Sequence, residues 1–131
     1  MKYVLMMHLP KTGYGVFGTW SANDIQTNMA FVRNLNKDLS DSGEFAGAEG
    51  LAMPNQAKIV KAGKDGAPIT DGVFPESKEF LAGYLMVDVE SAERACEIAA
   101  IWSAAPGPQG LALNMPIEVR QVMSAGAGEL P

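Results

Sequence analysis

FLAGYLMVDV, residues 80–89, is the stretch on which the fold turns. Its only charge is Asp88, and its two alternating faces are both apolar, so it reads as a long strand with cover on each side. Ser91 follows as an N-cap, opening a helix that runs to about Ala105. Ala92, Ala95, Cys96, Ala99 and Trp102 fall on one side of that helix, with Ile98 at its margin, and such small residues let a helix lie close to a sheet. Pro106-Gly107-Pro108 stops it. Residues 116–123, PIEVRQVM, then alternate apolar and polar as a last strand. The C-terminal half is therefore strand, helix, strand.

The N-terminal half repeats this unit. Residues 2–8 are continuously apolar after Lys2 and read as a first strand, followed by a Gly- and aromatic-rich loop over 10–20. Ser21 is placed to cap a helix through the Asp24 amide, with Asp24 reciprocating and Trp20 and Ile25 in staple positions. Ile25, Met29, Val32, Leu35 and Leu39 form one apolar stripe, and Gly43 ends the helix. Residues 44–52 read as a second strand, and 56–62 with 67–70 as a minor hairpin turning at Lys64-Asp65-Gly66. Two interleaved right-handed β–α–β units predict an α+β, ferredoxin-like split βαβ fold with an inserted hairpin. The first strand should lie between the third long strand and the last. Both helices then cover one sheet face, and a second copy of the chain, giving a homodimer, is the simplest cover for the other.

At 131 residues the chain fits one domain, expected over 1–123, with a Gly/Ala-rich tail over 124–131 predicted to fray. A net charge of -5 without a local basic cluster argues against nucleic acid or a membrane surface as partner. No apolar run approaches the ~20 residues of a membrane span, and Tyr3–Met7 is too short for a signal peptide core, which predicts a cytoplasmic protein. The single cysteine, Cys96, is read as a small buried hydrophobe in preference to a reactive thiol.

The segment Thr70-Asp71-Gly72-Val73-Phe74-Pro75-Glu76-Ser77-Lys78-Glu79 resembles the signature of the DGPF subgroup of YCII-related proteins. That motif is D-G-P-F, a small residue, then E-x-K-E and an apolar strand. Here Val73 stands at the motif proline, and Pro75 follows the phenylalanine. MKYVLMMH, Gly43 through Leu51 (ending Ala48-Glu49-Gly50-Leu51) and Ile117–Met123 resemble the family's opening, second and closing strands, so the likeness runs over roughly residues 1–123. The resemblance implies a dimeric α+β barrel. It also implies a sigma-factor-associated regulatory partner, and in some relatives a small enzyme with a His–Asp pair whose histidine lies on the first helix. This chain has Met29, Phe31 and Val32 in that region instead.

The predicted topology gathers ionisable groups at one sheet end. His8, the only histidine, ends the first strand on the face of Val4 and Met6. Antiparallel neighbours bring it to the starts of the third and last strands, near Phe80–Ala82 and Ile117-Glu118. The second strand ends there at Glu49, and the loop with Asp71, Glu76, Lys78 and Glu79 enters there. His8 with Glu118 is the candidate catalytic pair, because an imidazole beside a carboxylate can move protons near neutral pH. Glu49, Asp71, Glu76, Lys78 and Glu79 are candidate ligand-binding residues. Two plainer readings stand beside these. One has His8 satisfied by backbone or water, and the other has Asp71-Gly72 with its neighbours as ordinary turn architecture. No spacing marks a metal or nucleotide site, and no cofactor is expected. The expected function is a small-ligand-binding or regulatory module acting as a homodimer. The alternative is lyase- or hydrolase-like acid–base chemistry at His8.

Overall fold

A computed structural model describes residues 1–10, 19–71 and 78–123. The elements are β1 (Lys2–Pro10), α1 (Ala22–Asp41), β2 (Phe45–Gly50), β3 (Ile59–Ala62), β4 (Pro68–Asp71), β5 (Glu79–Asp88), α2 (Ala92–Ser103) and β6 (Ile117–Gln121). Four strands form an antiparallel sheet in the order β2-β5-β1-β6, and β3-β4 form a separate two-stranded hairpin. The first strand thus lies between the long third strand and the last, as the two β–α–β units predict, in an α+β, ferredoxin-like arrangement. None of the helices among the described residues is long and apolar enough to cross a membrane.

Local chemistry sets the ends of α1. The Ser21 hydroxyl accepts the Asp24 amide at 3.0 Å. Asp24 does not close the reciprocal half of the box; its carboxylate accepts the Gln109 backbone N–H at 3.3 Å and ties the helix start to the segment after α2. At the other end Glu44 N–H donates to Leu39 O at 2.8 Å and Gly43 N–H to Ser40 O at 3.1 Å, with Gly43 at φ +78°. These are the paired bonds of a Schellman stop.

Both helices pack on one face of the sheet. Leu5, Leu85 and Val87 meet Leu35 and Leu39 of α1 and Ala95, Ile98 and Ala99 of α2 in a single core. Leu5, Val87 and Ile98 are its largest fully buried side chains. The first helix follows its predicted stripe only in part: Leu35 and Leu39 are buried, while Ile25 and Met29 are 42% and 51% exposed. For α2 the expected face needs correction. Ile98 is at the centre of the buried face and Cys96 is exposed. An alanine-rich helix has a weak apolar direction, so the one bulky aliphatic residue that fills the core sets its rotation. The reading of Cys96 as buried is thereby overturned.

The opposite face carries no helix. Residues directly across antiparallel strands share a face, and on this one stand Val4 opposite Met86, Met6 opposite Tyr84, and Met6 opposite Glu118. The apolar members of that face are half-buried.

Candidate functional site

The pairing of β1 with β6 places Glu118 opposite Met6, two residues before His8 along β1. Alternation sends Val4, Met6 and His8 to the helix-free face, together with Glu118 and Arg120 of β6. Between Met7 and His8 the register with β5 shifts by one residue, so that Met7 faces Gly83 and His8 faces Leu81. Such a bulge re-aims the strand at its end.

His8 Nε2 lies 3.1 Å from Glu118 Oε1. A carboxylate can only accept, so Nε2 carries the hydrogen, and a neutral His8 is left with the Nδ1 lone pair as its acceptor. The second carboxylate oxygen of Glu118 faces Arg120 Nε at 3.7 Å. The pair is accessible: the His8 side chain is 30% exposed and that of Glu118 46%. Chemically this is an imidazole oriented by a carboxylate whose other nitrogen has no partner among the described residues, able to accept a hydrogen bond from a bound molecule.

The other predicted residues are distributed differently. Glu49 stands opposite Tyr84, which stands opposite Met6, which stands opposite Glu118. Glu49 therefore shares the helix-free face but occupies the far edge of a transverse row. Three strand spacings, roughly 14 Å, separate its backbone from that of Glu118. Glu79 opens β5 opposite Pro10, and Lys78 precedes it, exposed. Asp71 closes β4 opposite Ile59, in the separate hairpin. Glu76 lies outside the described residues, as do the rest of 72–77 and residues 11–18. The sheet end thus brings His8 and Glu118 into contact, with Glu49 at the far edge of the row, Asp71 in the separate hairpin, and Glu79 two positions along β5 from Leu81, the residue opposite His8. Among the described residues no group of three or more His, Cys, Asp or Glu is placed to hold a metal ion.

Two participants escaped the sequence reading. Arg120 was accessible to it, because Glu118-x-Arg120 in a strand must share a face. Tyr84 was accessible in the same way, as an aromatic two residues from Met86 on a face without helices.

A family model for the YCII-related domain matches residues 1–110. The chain belongs to the YCII-related family. The match contains β1 with His8, both helices and β5, and it ends before β6, so Glu118 and Arg120 lie beyond it. No curated protein matches this YCII-related chain.

Proposed function

We propose that this YCII-related domain is a small-ligand-binding module with a regulatory role, acting as a homodimer, and that His8 held by Glu118 is its polar contact with the ligand. The observation that carries the reading is the 3.1 Å His8–Glu118 hydrogen bond on a helix-free, half-apolar sheet face. It orients one imidazole nitrogen and leaves the other for a bound group. Tyr84 and Met6 supply apolar surface beside it. A fragment screen by amide chemical-shift perturbation tests this. Binders should move the signals of Met6, His8, Tyr84 and Glu118, and both His8→Ala and Glu118→Gln should weaken them about tenfold or more. Binders that ignore both substitutions would remove the site.

A second reading is acid–base catalysis of a lyase or hydrolase kind. The free Nδ1 favours it, since a carboxylate-oriented imidazole is the usual form of a protein general base. It requires that a bound compound be chemically altered over time by the wild type and not by His8→Ala. Compounds recovered unchanged from both leave the binding reading in place.

A further inference from the structure

The β3–β4 hairpin is built by its own turn and held by no strand of the sheet. Gly66 takes φ +84°, the Asp65 carboxylate accepts the Ala67 N–H at 3.0 Å, and Gly63 N–H donates to Ala67 O at 2.8 Å. The two strands, 4 residues each, pair only with one another among the described residues. From 55 to 70 only Ile59 and Gly63 are even half-buried. Val60, opposite Thr70, and Ala62, opposite Pro68, make one face; Ile59, Lys61 and Ile69 make the other. Both faces carry apolar side chains. A two-stranded ribbon of this size is marginal in water and needs a further strand or a surface to pack on.

We propose that this hairpin is an arm that packs on a second copy of the chain, so that each protomer of the homodimer clasps the other beside its helix-free face. The arm rests on the homodimer reading above and adds to it a contact region outside the sheet faces.

Position, charge and area favour a second copy as the occupant. Leu51 N–H donates to Ala82 O, and β5 opens with Glu79 opposite Pro10, so the chain leaves the sheet and rejoins it at the end that holds His8. Since β2 is an edge strand, the arm starts from a corner of the uncovered face. Lys58, Lys61 and Lys64 are three of the chain's 10 basic residues, all exposed, and none has an ion pair among the described residues. The chain as a whole carries -5, and the exposed Glu49 and Glu118 stand on the helix-free face. A basic arm on an acidic body is complementary to another such body. Strands about 4.8 Å apart and rising about 3.3 Å per residue give each hairpin face roughly 130 Å². Two arms, each burying that area on itself and on the other copy, add about 500 Å² to the roughly 800–1,000 Å² of two flat sheet faces, which reaches the ~1,200–2,000 Å² of a stable pair.

Sedimentation equilibrium and amide exchange of the full chain test the arm. Val60→Lys with Ile69→Lys should weaken the dimer about tenfold or more. Neither residue belongs to the core, so the far-ultraviolet dichroism of helices and sheet should stay unchanged. Lys58→Glu with Lys61→Glu should weaken it similarly at about 50 mM salt, and the gap to wild type should close at about 0.5 M, where screening removes the attraction. Amides of the β3–β4 ladder should exchange rapidly where the chain is diluted to monomer and about tenfold or more slowly where it is dimeric. That measurement needs no variant to fold. Hairpin variants that dimerise like wild type would overturn the arm, as would ladder amides that exchange equally in monomer and dimer. Met86→Glu separates the arm from the sheet-face dimer: if it alone gives monomers while both hairpin variants stay dimeric, the sheet face is the whole interface. A wild type that stays monomeric at every concentration removes both.

Discussion

Glu44 and Arg94 form a forked, two-point ion pair. Arg94 donates through Nε at 2.8 Å and Nη2 at 2.9 Å to the two carboxylate oxygens, and the Ser42 hydroxyl adds a third bond at 2.8 Å. The fork joins the start of β2 to the first turn of α2, 50 positions on, and is stronger than a single-point ion pair. The Arg94 guanidinium, then the Ser42 hydroxyl, hold the Glu44 carboxyl at about 2, well below its ordinary 4.5. A depressed folded-state value means that the stabilisation is complete above about pH 4.5 and is lost as pH falls toward 2. With Arg94 about a third exposed, solvent screening cuts the contribution to roughly 1–2 kcal/mol. Glu44→Gln should therefore destabilise by about that amount at pH 7, and by progressively less toward pH 2.5. Urea midpoints of both proteins across that range measure it; a constant gap would show that the ion pair is not the cause.

Among the elements, α1 shows how one residue stops twenty. Gly43 adopts φ +78°, and a Cβ at that position would meet nothing within 4 Å, so any cost of replacement comes from the backbone and not from a clash. Gly43→Val should destabilise by more than about 1 kcal/mol, because a β-branched residue resists the left-handed region. Gly43→Asn should lose less, since asparagine tolerates that region. Chemical denaturation of the three proteins decides it, and equal midpoints would place the helix stop elsewhere. The β3–β4 hairpin is the contrasting element. It pairs only with itself, and Val60 and Ile69 are 57% and 46% exposed.

At the scale of the molecule the asymmetry of the sheet matters most. One face is closed by two helices, while the other presents Val4, Met6, Leu81, Tyr84 and Met86 half-buried without a covering layer among the described residues. Four strands about 4.8 Å apart give a face of roughly 400–500 Å² per protomer before side-chain relief and loops are added, on the scale of the ~1,000 Å² total that a specific pair needs. The homodimer proposed above would use this face. Sedimentation at micromolar concentration should then give a dimer, and Met86→Glu should shift it to monomer with helical content unchanged. A wild type that sediments only as monomer removes the dimer from the proposal.

Local rules determined most of the fold. Period-2 and period-3.6 patterns set the strands and helices, Ser21, Ser91 and Gly43 set helix ends, and the handedness of two β–α–β units set the strand order. Alternation alone put His8 on the face of Val4 and Met6, and antiparallel direction put Glu118 near it. Packing decided the rest. The rotation of α2 came from Ile98 filling the core, which turned Cys96 outward. The one-residue shift after Met7 came from fitting β1 to β5. The His8–Glu118 bond spans 110 positions. A sequence records each residue's own backbone preference and period. The lateral offsets and rotations that decide which side chains touch depend on many residues packing at once, and no single stretch contains them.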